Sequence, residues 1–280
     1  MKRRIITNQI ISSFKNYLIE NEKAKATIQK YMRDIRYFTD YANKQALDKK
    51  LLLSYKDILE KRFAIRSANS MIAALNAILR FQGWHDLCIK QFKVQKEAYC
   101  SEERVLTKAE YTSLVRTAEL TKNERLSLVV QTICATGIRV SELENITVEA
   151  VRRGEAIVSC KGKTRKIFIV KALQKKLLQY AAINGITFGT LFITRSGKPL
   201  NRSNIWRQMK ALCKAANVSE QKVFPHNLRH LFARSFYGIE KDIAKLADVL
   251  GHSNINTTRI YIITSGAEHQ RYMENMRLII

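Results

Sequence analysis

Residues 226–261 read HNLRHLFARSFYGIEKDIAKLADVLGHSNINTTRIY, a series of helical runs interrupted by one Gly-His turn. The stretch contains His226, Arg229, His252 and Tyr261. His226 precedes Arg229 by about one helical turn, so both side chains can face one ligand. A guanidinium stays charged and binds two oxygens in a fixed fork, which suits a phosphate. The stretch therefore predicts a phosphate clamp beside a tyrosine nucleophile.

The rest of such a site is predicted upstream. A strongly apolar helix that starts at Arg125 ends at Gly137, and Arg139 stands at the start of the next helical segment, with Glu142 one turn on. Two short β-branched runs, EAIVSC and TRKIFIV, then flank the Lys-Gly-Lys sequence of residues 161–163. This pattern predicts a β-hairpin with lysines at its tip.

These residue types fit the transfer of a DNA phosphodiester to a side chain. That reaction needs a nucleophile, cations that neutralise the non-bridging oxygens, and an acid that protonates the leaving 5′-oxygen. Arg139 and Arg229 are the candidate cations. Tyr261, a phenol with an ordinary pKa of about 10, would need the field of those arginines or a base such as His226. Arginine, histidine and lysine make a metal cofactor unnecessary.

Each of these residues also has a structural interpretation when it is taken alone. An arginine near a helix start, such as Arg139, is more often structural, and His226 can be a surface residue. Tyr261 can be a core residue, because isoleucines surround it. Their combination is far more specific than any member. His230 is assigned to packing or hydrogen bonding, and the remaining histidines, His85 and His269, to the surface.

Composition favours a nucleic-acid partner. The chain of 280 residues carries 49 lysines and arginines against 24 acidic residues, a formal charge of +25. Such a surface favours a polyanion, and nucleic acid comes first. An anionic membrane is the competing partner, but no Lys-rich amphipathic anchor supports it. Cations on the polar faces of the N-terminal helices, Arg33 and Arg36 among them, together favour a phosphate-facing surface, although any single one is more often only solvated.

Other sequence features predict an intracellular, reduced protein. The basic N-terminus is interrupted by polar residues, unlike a signal peptide, and no run approaches the roughly 18 apolar residues of a membrane span. The five cysteines are scattered and form no C-x-x-C pair. They predict neither a zinc site nor a disulfide framework.

The hydrophobic pattern predicts two domains in a mainly α chain with a small β-hairpin, an α+β fold class. Residues 1–83 form a helical DNA-binding module with apolar residues at helical spacing. Residues 84–103 lose periodicity and are predicted to be a linker. Residues 104–280 form the second domain, which opens on a helix with Thr107 as N-cap and Glu110 at the capping-box position. A 46% hydrophobic content supports folded cores.

Three segments now carry a family resemblance: ATGIRVSEL (residues 135–143), PHNLRH (225–230) and LGHSNINTTRIY (250–261). With the lysine hairpin, they resemble the tyrosine recombinase and integrase family, most closely the Xer-like and mobile-element integrases in the short, two-domain layout. The motifs cover most of residues 104–265. The N-terminal module resembles the SAM-like core-binding domain of that family more weakly, by position and pattern.

The resemblance implies a role for each candidate residue. Tyr261 would form a 3′-phosphotyrosyl link and free a 5′-hydroxyl. Arg139 and Arg229 would bind the scissile phosphate. His226 would act in acid/base transfer, and His252 would hydrogen-bond a phosphate oxygen.

The hairpin departs from the family pattern. Relatives usually read K-G-x-K-x-R, whereas this chain reads K-G-K-T-R, one residue shorter. Alignment of K-T-R with K-x-R selects Lys163 as the general acid, but Lys161 or Lys166 would serve if the turn differs. Glu142 matches the acidic position that supports the active site in the family.

The implied function is a site-specific DNA recombinase that clamps a DNA duplex between two basic domains. Four protomers would exchange strands through a Holliday junction, without ATP, because the phosphotyrosine stores the bond energy. The C-terminal tail, with its apolar end at Leu278, Ile279 and Ile280, would dock on a neighbouring subunit. Accessory DNA-bending factors are a further partner class, and the expected location is the cytoplasm, on the nucleoid.

Two rival functions stay open at this point. A type IB-like topoisomerase shares the nucleophile chemistry but relaxes DNA as a monomer, without synapsis. A non-catalytic DNA-binding regulator would keep the scaffold alone, although a binder has no need of all five residues of the clamp and nucleophile set: Arg139, His226, Arg229, His252 and Tyr261.

Overall fold

The structure is a computed structural model that describes residues 4–94, 105–160, 163–194, 196–261 and 266–276. The chain folds into two compact units, Met1–Lys96 and Glu97–Ile280. Helices dominate the described residues, and the two strands that they contain pair as one antiparallel hairpin. The predicted fold class is confirmed. No helix in the described part of the chain combines the length and the apolar character needed to cross a bilayer.

The first unit is helical over its described residues. Thr7 and Asp48 cap two of the helices through their side-chain oxygens, which accept hydrogen bonds from the backbone N–H groups of Ile10 and Leu51. Its helices are α1 (Asn8–Glu20), α2 (Lys25–Ala42), α3 (Lys49–Arg62) and α4 (Ile65–Phe81), followed by a 3-10 turn (His85–Leu87). Their apolar faces bury a common core that includes Phe14, Ile35, Phe38, Tyr55, Ile72 and Leu75.

Residues 84–92 join this core, so the predicted linker is corrected over that range. Leu87 and Ile89 are buried. The Asn76 amide donates to the carbonyl of Ile89 and accepts from its N–H, at 2.8 and 3.0 Å. Asn69 makes the same pair of bonds with Phe92. After the 3-10 turn, these two side-chain amides hold residues 88–92, which have no regular secondary structure, against α4. Residues 95–104 lie outside the described residues.

The second unit contains the remaining elements. They are α5 (Lys108–Leu120), α6 (Glu124–Thr136), a 3-10 helix (Val140–Asn145), α7 (Val148–Arg153), β1 (Glu155–Cys160), β2 (Lys163–Phe168), α8 (Lys171–Ile183), α9 (Arg202–Ala216), a 3-10 turn (Glu220–Lys222), α10 (Pro225–Glu240), α11 (Ile243–Leu250), α12 (Ile255–Arg259) and α13 (Gly266–Asn275). The Leu278–Ile280 tail end, expected to dock on a neighbour, lies outside the described residues.

Local signals fix several helix ends in the second unit. The capping box predicted at α5 is present, with both bonds between Thr107 and Glu110. Helix α6 ends at Gly137 in the left-handed conformation, with φ of 63°, and a Cβ there would lie 2.5 Å from the Phe232 ring. Glycine is required at that position for both reasons. Asn201 caps α9 through its side chain.

The hairpin has a single register, in which Cys160 faces Lys163 and Val158 faces Arg165. Directly opposed residues share one face of an antiparallel pair, and residues two apart along a strand share it as well. The positions of Lys163 and Arg165 therefore lie on the face that buries Val158, whereas Lys166 lies on the other face.

Candidate active site

Helix α10 brings three of the polar side chains to one face. Pro225 occupies its first turn, where a missing N–H costs nothing. His226, Arg229 and His230 follow at spacings of three and four residues, which place them on one side of the helix. The rings of His226 and His230 lie 5.0 Å apart, centroid to centroid.

Arg229 is buried, with 2% of its surface exposed. Its Nη1 donates to the carbonyl of Gly137, and its Nη2 donates to the carbonyl of Leu250 at 2.7 Å. These carbonyls stand at the C-terminal ends of α6 and α11. A helix C-terminus carries a partial negative charge and unpaired carbonyls. Two helix ends therefore hold this buried cation in place.

Arg139 lies beside Arg229 but is held by a carboxylate. Glu142 is buried; its Oε1 accepts from Arg139 Nη1, and its Oε2 accepts from the Arg139 backbone N–H, both at 2.9 Å. The same Oε2 accepts from Arg165 Nη2, on the hairpin, at 2.7 Å. The Arg139 Nη2 also approaches the carbonyl of Gly251 at 3.4 Å. Glu142 thus bridges two guanidiniums.

The turn after α11 presents His252. Gly251 adopts the left-handed conformation, with φ of 65°, and reverses the chain. His252 Nε2 lies 3.0 Å from Arg229 Nη2, and His252 Nδ1 lies 2.9 Å from Thr258 Oγ1. A guanidinium can only donate, so Nε2 accepts, and the proton resides on Nδ1, which donates to Thr258.

Tyr261 closes the cluster. Its side chain is buried with Ala233, Leu246 and Leu250 in a small separate core. Its ring centroid lies 4.3 Å from that of His230, with the other two histidines of the site nearby: His252 at 5.5 Å and His226 at 5.6 Å. Its side chain is also close enough to Arg229 to act on that guanidinium, since it opposes the lowering of the Arg229 pKa. The structure therefore brings together four residues that the sequence predicted for the site: Tyr261, His226, Arg229 and His252. His230 packs directly on the ring of Tyr261.

The electrostatics of the site keep its imidazoles neutral. Burial lowers the pKa of His252 to about 4, and the charges of Arg229, Arg139 and Arg165 act in the same direction. Burial, followed by neighbouring His226, lowers the pKa of His230 to about 4. Near pH 7 these two rings therefore carry no charge.

His226 and Arg229 are shifted as well. His226 is exposed as a whole residue, but part of its ring is buried. This burial lowers the pKa of His226, and the charge of Arg229 lowers it further. Burial lowers the pKa of Arg229 to about 10, and Arg139 acts the same way. Arg229 is still a cation at neutral pH.

The three candidate lysines differ in their positions on the hairpin. Lys163 is the first residue of β2, and its position shares a hairpin face with Arg165. Lys166, on the opposite face, pairs with Glu155 at 3.1 Å. Lys161 lies outside the described residues.

Two residues at this site were not identified from the sequence: Arg165 and Thr258. Thr258 follows His252 by six residues, and Arg165 follows Lys163 by two, so proximity along the chain was the available signal. Over the described residues, no group of three or more His, Cys, Asp or Glu side chains could hold a metal ion.

Comparisons with known proteins find tyrosine recombinases. The chain is 26% identical to tyrosine recombinase XerA of Pyrococcus furiosus, over all of this chain and 98% of the relative. It is 27% identical to tyrosine recombinase XerD of Staphylococcus epidermidis, over 93% of this chain and 96% of the relative. Identity to tyrosine recombinase XerH of Campylobacter jejuni reaches 36%, over 49% of this chain and 40% of the relative.

Solved structures share the fold. A lambda integrase dimer bound to a COC′ core site superposes with a TM-score of 0.74 at 18% identity, covering 92% of this chain and 78% of that one. XerH bound to its difH substrate gives a TM-score of 0.70 at 17% identity, covering 95% and 84%. The family model described as the phage integrase family matches residues 104–267, more than half of the sequence. The chain belongs to the phage integrase family.

Proposed function

We propose that this protein is a site-specific DNA recombinase that cuts and rejoins DNA through a covalent link to Tyr261. The observation that carries the proposal is the position of the Tyr261 side chain, which is buried, lies against His226 and His252, and acts electrostatically on buried Arg229. The relatives named above are tyrosine recombinases, and a further neighbour in fold is a lambda integrase tetramer bound to a Holliday junction.

In the proposed reaction, the Tyr261 phenolic oxygen attacks the scissile phosphorus. A bond forms between that oxygen and phosphorus as the bond between phosphorus and the 5′-oxygen breaks. The phenolic proton passes to a base, for which neutral His226 is our candidate, and the leaving 5′-oxygen gains a proton from an acid. One ester bond replaces another, so religation needs no ATP.

Arg139 and Arg229 stabilise the charge that develops on the non-bridging oxygens. Preorganised donors are effective here because they are already oriented when the charge appears. Arg229 is held by two helix ends and Arg139 by Glu142. Both cations are therefore fixed before DNA binds.

His252 must change its hydrogen bonds to contact a phosphate. Its Nε2 accepts from Arg229 in the free protein, so it has no proton to offer there. A bound phosphate opposes the charges of the arginines that depress the His252 pKa, which favours a proton on Nε2. We propose that substrate binding converts this nitrogen from an acceptor to a donor.

Lys163 is our candidate for the acid that protonates the leaving oxygen. Its position shares a hairpin face with Arg165, which contacts Glu142 of the site. Lys166 lies on the opposite face and is paired with Glu155. Strand parity therefore favours Lys163 over Lys166.

The proposed partners are duplex recombination sites and three further copies of the chain in a tetrameric synapse. Docking of the C-terminal tail on a neighbouring subunit and the use of DNA-bending accessory factors remain proposals that rest on the family resemblance. So does a cytoplasmic, nucleoid-associated location.

A nicked suicide substrate tests the nucleophile. Wild-type protein should accumulate a covalent protein–DNA adduct, and Tyr261→Phe should form none while binding DNA almost as tightly. Tyr237→Phe, a matched change at a partly buried tyrosine in the same unit, should form the adduct normally. Adduct formation by Tyr261→Phe would refute the assignment. Relaxation of supercoiled DNA by a monomer, without sequence preference, would favour the topoisomerase instead.

A further inference from the structure

The hairpin places a largely buried arginine, Arg165, beside the phosphate clamp. The Arg165 side chain is 12% exposed, and its Nη2 lies 2.7 Å from Glu142 Oε2. Glu142, itself 4% exposed at its side chain, binds Arg139 through both oxygens. Arg165, Glu142 and Arg139 therefore form a continuous chain from strand β2 to the predicted scissile-phosphate site.

The charges along this chain have a consequence for the clamp. Arg139 paired with Glu142 alone is neutral overall, and an anion beside a guanidinium reduces its attraction for a second anion. With Arg165 on the same carboxylate, the three groups carry a net charge of about +1. Arg165 thereby leaves Arg139 able to attract a phosphate.

The same side chain lies against the turn that presents His252. A Cβ on Gly251 would stand 2.4 Å from Arg165 Cδ and 2.6 Å from its Nε. The arginine therefore packs directly against the backbone of Gly251, whose carbonyl is 3.4 Å from Arg139 Nη2. Arg165 therefore contacts both Glu142, which holds Arg139, and the turn that presents His252.

We propose that Arg165 is a positioning residue for DNA cleavage, which orients Arg139 through Glu142 and offsets the charge of that carboxylate. This inference rests on the proposed recombinase function. Arg165 acts through Glu142 and is not assigned a contact with the DNA.

The experiment measures the rate of covalent adduct formation at saturating DNA. Arg165→Ala should lower that rate by about 100-fold, the scale expected when a reacting group is displaced by about 1 Å. DNA affinity should change little. Arg165→Lys, which keeps the charge but loses the planar fork, should lose less. Arg153→Ala, which removes an exposed arginine at the end of α7, serves as the matched control.

A double-mutant cycle separates positioning from a general loss of charge. If Arg165 acts through Glu142, then Arg165→Ala should cost little more once Glu142→Gln is present. A 5′-bridging phosphorothioate, whose sulfur leaves without a proton, should not restore the rate of Arg165→Ala. Restoration would show that the arginine serves the leaving-group acid, and additive losses would show that it acts independently of Glu142.

The controls also distinguish the two levels of the proposal. If wild-type protein forms no adduct on any substrate, the recombinase function itself fails. If wild-type protein forms the adduct and both Arg165 variants match it, only the positioning role is overturned. Should Arg165→Ala unfold, the comparison of Arg165→Lys with wild type decides the outcome.

Discussion

At the scale of single residues, Arg229 shows how a buried cation becomes part of both fold and site. Removal of a charge from water costs several kcal/mol unless polar groups replace the lost hydration. Here the carbonyls at the ends of α6 and α11 supply that replacement. The same bonds tie the two helix ends to one guanidinium. Truncation of Arg229 would leave two carbonyls without this donor, so its effect on cleavage must be compared with its effect on stability.

His230 provides a pH test of this packing. Its folded-state pKa of about 4 lies below the ordinary value of 6.5, so the unfolded chain binds more protons between those pH values. The stabilisation is fully present above pH 6.5 and is lost as the pH falls through about 4. We expect the free energy of unfolding of the second unit to drop by up to about 3 kcal/mol from this residue over that window.

The measurement uses denaturant titrations followed by tryptophan fluorescence. The chain has two tryptophans, and a Trp84→Phe background leaves Trp206, in the second unit, as the reporter. His230→Gln should show a shallower loss of stability with acid, because Gln does not titrate. His85→Gln, at an exposed histidine of the first unit, should leave the profile unchanged. Equal profiles for His230→Gln and its parent would contradict a neutral, partly buried His230.

At the scale of secondary-structure elements, the hairpin connects two parts of the predicted site. Side chains alternate between the two faces of β2. Arg165 therefore lies on the buried face, and Lys166 lies on the exposed face, where it pairs with Glu155. A shift of register by one residue would exchange these positions and remove the Glu142 contact. The register of β1 and β2 is therefore part of the active-site geometry.

A leaving-group test discriminates among the three hairpin lysines. We expect Lys163→Ala to lower cleavage of normal DNA and to regain near-normal cleavage on a 5′-bridging phosphorothioate, because the thiolate leaves without protonation. Lys166→Ala should cleave both substrates at close to wild-type rates. Rescue of Lys161→Ala in place of Lys163→Ala would move the acid to the hairpin tip.

Sequence patterns predicted elements better than contacts between them. The capping pair of Thr107 and Glu110 is local, and its helix was predicted with its cap. The Asn76 bonds to Ile89 span thirteen residues and depend on how α4 packs, so residues 84–92 were assigned to a linker. Likewise, Arg165 meets Glu142 across 23 residues, and no local pattern indicates that contact.

In the candidate site, too, local spacing was predicted from the sequence and contacts between distant elements were not. Spacing on α10 was enough to predict that His226 and Arg229 share a face. The burial of Tyr261 beneath His230 depends on where α11 and α12 direct the chain, which the sequence does not reveal. Both interpretations of Tyr261 apply, since it is buried in a small core and lies beside the arginine clamp.

At the scale of the whole molecule, the formal charge of +25 is the dominant property. One groove in each unit shows how acidic residues accompany the cations. The groove between α1 and α2 is lined by Lys15, Arg33 and Arg36 beside Asp40, and Arg33 also pairs with Asp34. In the second unit, a groove beside α6 pairs Lys122 and Lys176 with two glutamates, Glu119 and Glu124. Lys15 and Arg36 are the better candidates for phosphate contact, because one aspartate, Asp40, lines the groove beside them, whereas two glutamates line the groove of Lys122 and Lys176.

We expect DNA affinity to fall steeply with salt, since each neutralised phosphate releases condensed counterions. A protein with six to ten phosphate contacts should lose about 10³- to 10⁵-fold in affinity between 50 and 200 mM salt. Fluorescence anisotropy on a duplex across that range gives the slope of log affinity against log salt. A flat dependence would contradict a phosphate-binding surface.

Paired variants then locate the surface. Lys15→Gln with Arg36→Gln should reduce that slope by about 2, or about one for each lost phosphate contact. Lys122→Gln with Lys176→Gln removes the same charge from the glutamate-lined groove, so the slope should stay at the wild-type value. If net charge alone drove binding, the two pairs would weaken it equally. Equal slopes would therefore refute a specific role for the α1–α2 groove, and a reduced slope in the first pair alone would assign the groove to the DNA backbone.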